Sequence, residues 1–335
     1  MLPDPTLLSV PDSDARVLAN GRPDPTFREE LRRIPSWRNA AHVIALWVET
    51  ITIVVVAVWW NHPVGWVAAF LLMGRQHART NILMHEAAHR LLLRNRALND
   101  FVGRWLLGFP ALAPIDLYRR GHMAHHRDEF GPDEPDIPLY TGYPIGRDSM
   151  RRKLTRDALG ITGLKILRGL ARGLVAKNGR IRAQAWSIVG VQVALFGVCW
   201  MLGHPWVYPV LWLLPHLTVW RVLNRLRAIA EHGGMQRSRD RRETTHAVRQ
   251  SLLARFWFVP YNTGWHLAHH VDAGVPWRNL PAYHDELARS GYVRPGLEYP
   301  SYRALWRKLA SGGRAGAATG DGDGDQFTSG LTTDV

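Results

Sequence analysis

Long apolar runs alternate with polar segments along this chain, and the runs have the length of membrane-crossing helices. Residues 41–60 are almost continuously apolar, interrupted by Glu49, and about 20 apolar residues suffice to cross a bilayer as a helix. A carboxylate is costly in lipid, so we expect Glu49 to face a neighbouring helix. A second helix should run from Pro63 toward His89, a length of about 39 Å. Since the hydrocarbon core is about 30 Å thick, His85 and His89 should emerge just beyond it.

The same pattern recurs in the second half of the chain. Residues 185–202 form a third apolar run, residues 203–205 read Gly-His-Pro and predict a tight turn, and residues 206–223 form a fourth run. A helix that continued from this turn would bring His232 to about the same height beyond the membrane. We therefore predict an all-α membrane protein, with four transmembrane helices in two hairpins and a cytosolic helical cap that carries the histidines.

Two further apolar stretches lie between the hairpins. Residues 101–115 contain Pro110 and Pro114, so a re-entrant or interfacial segment is expected rather than a span. Residues 150–175 combine leucines with lysines and arginines at helical spacing. This pattern predicts basic amphipathic helices on a membrane surface, and a solvated linker helix is the alternative.

The ends of the chain have a different composition. The first 25 residues are rich in Pro and Asp and predict a mobile tail, and Thr26 is expected to cap a short interfacial helix over residues 27–34. The residues after Ser311 are rich in Gly, Asp and Thr and should be disordered. We expect three regions: an N-terminal cytosolic region (1–40), a membrane-embedded domain (41–310) and a tail (311–335).

Composition refines this picture. The net charge is +14 and 15 residues are Trp. Nucleic acid and an anionic membrane surface could both attract such a chain, but the basic residues flank apolar runs, which favours the membrane. The two predicted turns, Asn61-His62-Pro63 between the first two helices and residues 203–205, contain no Lys or Arg, whereas residues 90–182 and 221–310 are rich in Arg. The positive-inside rule therefore predicts that both termini and the histidine groups are cytosolic.

Histidine is the residue type with the most informative spacing. The chain has 16 His and a single Cys, Cys199, so Cys-ligated zinc, iron–sulfur clusters and an intramolecular disulfide are excluded, and any metal must be held by N and O ligands. Two clusters have the spacing H-x-x-H-H and one pair has the spacing i, i+4, so each group occupies one face of a helix. The groups are His122, His125 and His126; His266, His269 and His270; and His85 and His89.

These eight histidines, with His232, exceed what one ion can hold, and so they favour two metals. A rival interpretation is the string His85-Glu86-x-x-His89, which fits the H-E-x-x-H pattern of a zinc metalloprotease. That interpretation leaves both H-x-x-H-H clusters without a role. A haem or metal carrier is a third possibility, but it needs only one or two histidines per ion.

The three histidine groups, their order and the hairpins between them resemble the histidine boxes of the integral-membrane fatty acid desaturase and hydroxylase superfamily. The resemblance covers roughly residues 40–310 and includes the stretch 227–232, with its Arg-x-x-x-Glu-His sequence ending in His232. It also includes residues 262–281, in which Val-Pro and Asn-Leu-Pro follow the last histidine box.

This resemblance implies a non-haem centre of two iron ions, held by the nine histidines, that uses O2 to oxidise a membrane lipid. The expected product is a fatty acyl chain with a new C=C bond, and hydroxylation of a lipid, alkane or carotenoid is the alternative. Electrons would come from an external donor such as ferredoxin or rubredoxin. Asp133 and Asp136 could orient imidazoles, and Asn262 could tune a ligand; a solvated acidic loop and an ordinary turn are the alternatives.

Overall fold

The computed structural model describes residues 1–12, 15–132 and 134–312, and helices account for most of them. The α-helices are α1 Pro25–Leu31, α2 Ser36–Trp60, α3 Pro63–Ala88, α4 Arg96–Phe101, α5 Ile115–Arg127, α6 Ile137–Tyr140, α7 Arg147–Ala158, α8 Ile161–Leu174, α9 Gly179–Met201, α10 Leu214–Leu217, α11 Val219–His232, α12 Leu252–Trp257, α13 His266–Val271, α14 Leu280–Arg289 and α15 Tyr302–Leu309. Strands β1 Ala247–Val248 and β2 Glu298–Tyr299 pair in parallel. Segments Val102–Gly108 and Tyr208–Leu213 are π-helical, and Pro5–Leu7, Arg241–Glu243 and Pro295–Leu297 form 3₁₀ turns.

The described residues form two compact units that interleave along the sequence. The histidine-rich unit comprises residues 1–34, 122–151 and 226–312, and the long-helix unit comprises residues 35–121 and 152–225. The three expected regions of the chain follow composition, whereas these units follow contacts. The expected region boundaries stay a prediction.

In the long-helix unit, α2 and α3 form the first predicted hairpin. Asn61 adopts a left-handed conformation (φ 44°) and ends α2, and the His62 side chain accepts a hydrogen bond from the Val64 N–H at 3.2 Å. Pro63 then occupies the first turn of α3, where a missing N–H costs nothing. Ala57 of α2 and Met73 of α3 belong to one buried apolar cluster that holds the two helices together.

The polar half of α3 explains the carboxylate in α2. Glu49 accepts hydrogen bonds from Arg79 and, at 3.3 Å, from the Gln76 Nε2, and Arg75 lies 3.6 Å from the same carboxylate. The expectation that Glu49 faces a neighbouring helix is therefore confirmed.

The fourth predicted helix is not continuous, which corrects the sequence interpretation. Its first part is the π-helical segment Tyr208–Leu213, α10 follows, and the backbone leaves helical geometry at Thr218 (φ −123°, ψ −81°) before α11 begins. Pro209 and Pro215 lie in this segment and lack the N–H groups that a regular α-helix needs, which accounts for the irregular geometry.

Among the described residues, two helical segments are long and apolar enough to cross a membrane, namely Pro25–Trp60, which contains α2, and Gly179–Met201, which is α9. Both present large apolar side chains outward, such as Trp59 on α2 and Trp200 on α9. These two segments are weak support for a membrane protein, and the arrangement with four spans stays a prediction.

The segments between the hairpins are also helical, but they are short. In residues 101–115, helical geometry ends at Gly108 and turns follow through Pro110 and Pro114, so this stretch does not form one long helix. Residues 150–175 fold into α7 and α8, which Gly160 separates in a left-handed conformation (φ 76°).

The N-terminal segment is part of the histidine-rich unit, which corrects the expectation of a mobile tail. Val17 and Phe27 belong to an apolar cluster that also contains Tyr283 of α14, and the Arg242 guanidinium donates to the backbone carbonyls of Leu8 and Ser9. The apolar positions in this acidic, proline-rich stretch were too few to predict such packing.

Helix α1 starts and ends slightly earlier than predicted. It spans Pro25–Leu31, and its N-cap is Asp24, whose side chain accepts from the Phe27 N–H at 2.9 Å, rather than Thr26. At the other end of the chain, the predicted disordered tail lies outside the described residues from position 313 onward.

Candidate metal centre

Every predicted histidine ligand in the histidine-rich unit lies on a helix, and the clusters end at the C-terminal turns. His125 and His126 lie in the last turn of α5, His269 and His270 in the last turn of α13, and His232 is the last residue of α11. A helix C-terminus carries partial negative charge from carbonyls that lack helical partners. Three such ends therefore favour a cation among the imidazoles.

One group of ligand atoms comes from all three helices. The nitrogens of His125, His232 and His270 lie within 4.8 Å of one another. The ring centroid of His125 is 4.9 Å from that of His232 and 4.9 Å from that of His270, and the His232 and His270 centroids are 4.8 Å apart. These three side chains are buried and offer three nitrogen ligands to one ion.

A second group combines α5 and α13. Ligand nitrogens of His122, His126 and His269 also lie within 4.8 Å of one another. The Nε2 atoms of His122 and His126 are 3.1 Å apart, and the rings of His126 and His269 have centroids 4.6 Å apart. The two H-x-x-H-H clusters therefore lie side by side.

His266 lies close to the first group. Its Nε2 atom is 3.2 Å from the Nε2 of His232 and 3.0 Å from the Nε2 of His270. All seven histidines that the sequence predicts in this unit are thus brought together.

Glutamates and a backbone carbonyl orient three of the imidazoles. Glu134 contacts the Nδ1 of His125, and Glu129 lies 2.5 Å from the Nδ1 of His270. His232 lies with its Nδ1 2.9 Å from the carbonyl oxygen of Thr244. Because an acceptor fixes the proton on Nδ1, the Nε2 lone pair of each ring is available to a metal.

This arrangement fits a metal better than a set of hydrogen bonds. If Nδ1 carries the proton in His232 and in His270, then both rings present an Nε2 lone pair to the Nε2 of His266, which can donate to at most one of them. A cation can accept these lone pairs together. Imidazole nitrogens with carboxylate partners on the far side are the usual surroundings of histidine-bound iron, copper or zinc.

Glu129 also joins the two histidine clusters. Arg241 donates to its Oε1 at 2.6 Å and to the backbone carbonyl of His126 at 2.7 Å, and the Thr245 hydroxyl lies 3.4 Å from its Oε2. Through this network, the loop that follows α5 holds an imidazole of α13.

Burial controls the protonation of the site. Loss of solvation lowers the pKa of His125 and of His269 to about 3 and holds the pKa of His270 well below its ordinary value. Burial also raises the pKa of Glu129 to about 7 and of Glu134 to about 8, although Arg241 partly opposes this rise at Glu129. The imidazoles are therefore neutral near pH 7, which is the form that binds a metal.

His85 and His89 belong to the long-helix unit. Both lie at the C-terminal end of α3, with ring centroids 4.6 Å apart and ligand nitrogens within 4.8 Å of each other. The spacing i, i+4 thus brings this pair together as expected. Its place in one centre with the other seven histidines is part of the proposal below.

Sequence reasoning missed the carboxylates that contact the histidines. These are Glu129, Glu134 and Glu231, the last with its Oε1 3.5 Å from the Nδ1 of His266. A signal existed for Glu231, which directly precedes His232. The acidic residues singled out instead were Asp133, which lies outside the described residues, and Asp136, which is buried and whose role as an orienting group stays a prediction.

Asn262 has a conformational role in the structure. Its backbone is left-handed (φ 58°), and its amide donates to the carbonyl of Trp277 at 3.3 Å. Asparagine tolerates this conformation better than most residues, which supports the turn alternative.

Imidazoles from several helices converge in this protein, and glutamates contact them from behind. This arrangement places the protein in the class of helical proteins with a histidine-lined metal centre. Comparison with known proteins identifies the particular family. The chain belongs to the fatty acid desaturase family, whose model matches residues 57–306. It is also similar to dihydrorhizobitoxine desaturase from Bradyrhizobium elkanii, with 23% identity over an alignment of 253 residues that covers 70% of this chain and 70% of the relative.

Proposed function

We propose that this chain is a membrane di-iron desaturase that uses O2 and two electrons to introduce a C=C bond into a fatty acyl chain. The observation that carries the proposal is the convergence of neutral imidazoles from α5, α11 and α13, each group oriented on its far side by a protein acceptor. Membership of the desaturase family supports the reaction type.

The proposed ligands are the nine histidines that the sequence indicates. They are His85, His89, His122, His125, His126, His232, His266, His269 and His270. Bound iron would supply the reduction of O2 to an oxidant that is strong enough to attack an unactivated C–H bond. Overall, one O2, two electrons and two protons combine with the two hydrogens removed from adjacent carbons, and two waters and the alkene result.

The residues of this chain have three tasks in such a reaction. Glu129, Glu134 and the Thr244 carbonyl keep protons on the Nδ1 atoms and hold the rings in place. Burial of the imidazoles keeps water away from the reacting atoms. Arg241 keeps a positive charge next to Glu129, which favours its ionised form.

The identity of the substrate is a separate part of the proposal. An acyl chain fits the two apolar helical segments, which would place the enzyme in a membrane together with lipid. The relative from Bradyrhizobium elkanii is named for dihydrorhizobitoxine rather than for a fatty acid. Hydroxylation on the same scaffold is the second candidate, because removal of the first hydrogen is common to both reactions.

The electron donor and the topology complete the proposal. We infer that both termini and the histidines face the cytosol, where an external ferredoxin or rubredoxin delivers the electrons. The net charge of +14 would attract an acidic donor of this kind.

Metal analysis of the purified full-length protein tests the centre. Two iron atoms per chain are expected, and one zinc per chain would overturn the di-iron proposal and favour a metalloprotease built on His85-Glu86-x-x-His89. Mass spectrometry of lipids incubated with the iron-loaded enzyme and a reductase system tests the reaction. Loss of two hydrogens supports desaturation, whereas gain of one oxygen identifies a hydroxylase.

A further inference from the structure

An exposed apolar face on α12 has no role in the proposed chemistry. Leu252 is 85% exposed, Leu253 66% and Phe256 40%. Phe256 follows these leucines at offsets of four and three, so the three side chains share one face of the helix. Ala254 is buried. The helix therefore packs by one side and presents an apolar face outward.

This face differs from the other exposed apolar positions of the histidine-rich unit. Elsewhere in its described residues, the exposed large apolar side chains are separated in sequence, as with Val10, Leu18 and Met123. Single exposed apolar residues are normal on soluble proteins, whereas a contiguous group indicates a binding surface. The exposed apolar group on α12 therefore indicates a binding surface.

The charges around α12 indicate which kind of partner it binds. Residues 249–257 contain two arginines and no acidic residue. The Arg249 side chain remains 65% exposed although it donates to Glu298, and Arg255 is exposed. Trp257 at the end of the helix is half-buried. Apolar residues on one face, flanked by arginines and a tryptophan, are typical of helices that lie in the interface of an anionic membrane.

The size of the surface favours lipid over a protein. A stable protein interface buries about 800 Å² on each partner, and three side chains on a six-residue helix expose far less. Insertion into the headgroup region needs no complementary surface. Basic residues near an anionic bilayer add electrostatic attraction to this insertion.

We propose that α12 docks onto the membrane surface, with Leu252, Leu253 and Phe256 inserted at the boundary between headgroups and acyl chains of an anionic bilayer. Arg249 and Arg255 then lie at the level of the lipid phosphates. The inference rests on the proposed membrane location of the enzyme but not on its redox chemistry. Since α12 precedes α13 in the chain, docking also restrains the segment that leads into the last histidine box.

The single cysteine allows a direct test. In a Cys199→Ala background, Leu253→Cys carries an environment-sensitive fluorophore on the full-length protein, reconstituted into phosphatidylcholine nanodiscs with or without phosphatidylglycerol and with nitroxide-labelled lipid. Asp285→Cys, at an exposed position on α14, is the matched control. We expect a blue shift and nitroxide quenching at position 253 but not at position 285. Both signals should grow with phosphatidylglycerol, and Arg255→Gln should weaken that growth.

Two results would overturn the proposal. Equal quenching at positions 253 and 285 would mean that α12 has no special contact with lipid. A blue shift at position 253 without nitroxide quenching would mean that protein covers the helix. The test is independent of the proposed reaction, because fluorescence requires neither iron nor turnover, and an active enzyme without quenching would contradict the docking of α12 alone.

Discussion

The two H-x-x-H-H clusters have the same spacing but different support. His125 of α5 is oriented by Glu134, which lies nine residues further along the chain. His270 of α13 is oriented by Glu129, which is 141 residues away in sequence. Both glutamates belong to the loop that follows α5. The α5 cluster is therefore supported locally, whereas the α13 cluster depends on a distant part of the chain.

The far side of α13 is also held from a distance. Asp272 directly follows this helix and accepts hydrogen bonds from Arg28 at 2.7 Å and from Arg32 at 2.9 Å, both in the segment of α1. A motif that looks self-contained in the sequence thus relies on two remote segments. Identical spacing predicts identical ligands but not identical support.

Removal of a ligand should have the largest effect and should not distinguish the two clusters. His125→Ala and His270→Ala each delete an imidazole from the group that also contains His232. We expect each variant to lose iron and to lose desaturase activity to background. Iron per chain and product formation measure both effects.

His204→Ala is the control, because His204 lies in the turn between the second pair of predicted spans, is exposed and is not a proposed ligand. It should keep iron and activity near the unmodified level. If His204→Ala lost as much iron and as much activity as His125→Ala, the proposed assignment of ligands would be wrong.

Substitution of the orienting glutamates should have a smaller effect, and a different one at each cluster. Groups that hold a metal-binding histidine contribute about 10- to 100-fold to metal affinity. Glu134→Gln replaces the carboxyl group that contacts the Nδ1 of His125. Glu129→Gln should cost more, because Arg241 also loses a partner and Arg241 contacts the backbone of His126. Chelator competition measures the iron affinity of each variant.

Glu29→Gln, at an exposed position on α1, controls for the loss of a carboxylate as such. Iron affinity near the unmodified value in Glu129→Gln would show that the α13 cluster does not depend on the α5 loop. Equal losses of iron affinity in Glu129→Gln and Glu134→Gln would mean that the two histidine clusters do not differ in how strongly they depend on their glutamates.

The sequence predicts the parts of this site that depend on local geometry. Spacings of three and four residues place His122, His125 and His126 on one helical face, and the structure has them there on α5. The orienting contact from Glu129 to His270 could not be predicted, because it joins residues 141 positions apart. The contact between Glu134 and His125 could have been predicted, because the two residues are close in sequence. The acidic loop, however, contains several carboxylates that could equally have been chosen to orient His125.

The same limit applies to the fold. The turn at Asn61-His62-Pro63 follows from local chemistry and is present as expected. The break at Thr218 was not predicted, because the apolar pattern continues across it. The prolines Pro209 and Pro215 were a signal for irregular helix geometry in this segment. Packing of the N-terminal segment depends on partners such as Tyr283 and Arg242, which no local pattern identifies.

Acid should destabilise both clusters alike in the metal-free protein. Burial lowers the pKa of His125 in α5 and of His269 in α13 to about 3, from an ordinary value of 6.5. Their contribution to stability is therefore present above about pH 6.5 and is lost as the pH falls from 6.5 toward 3. The raised pKa values of Glu129 and Glu134 act in the opposite direction, because their contribution is present below about pH 4.5 and is lost as the pH rises from 4.5 through 7 to 8.

We expect the melting temperature of the metal-free protein to fall between pH 6.5 and pH 5, because more imidazoles than glutamates are buried in the site. Thermal denaturation at several pH values measures this. Joint replacement of His125 and His269 by Gln should flatten the dependence. A melting temperature that rises steadily toward pH 5 would mean that the glutamates dominate.

Loss of the anchor at Asp272 should have the smallest effect and should act on the α13 side alone. Asp272 is buried, and the two arginines that donate to it are partly exposed, with 42% of each side chain accessible. Burial alone would raise the pKa of Asp272, but hydrogen bonds from Arg28, Gly274 and Arg32 lower it below its ordinary value. Exposure of the arginines weakens each ion pair, so Asp272→Asn should cost about 1–2 kcal/mol of unfolding free energy.

Thermal denaturation measures this loss, with Asp285→Asn on α14 as the exposed control, which should change stability little. Iron affinity should decrease only slightly, since Glu129 still holds His270. An unchanged melting temperature in Asp272→Asn would mean that α1 does not support the last histidine box, and the difference between the two clusters would then rest on Glu129 alone.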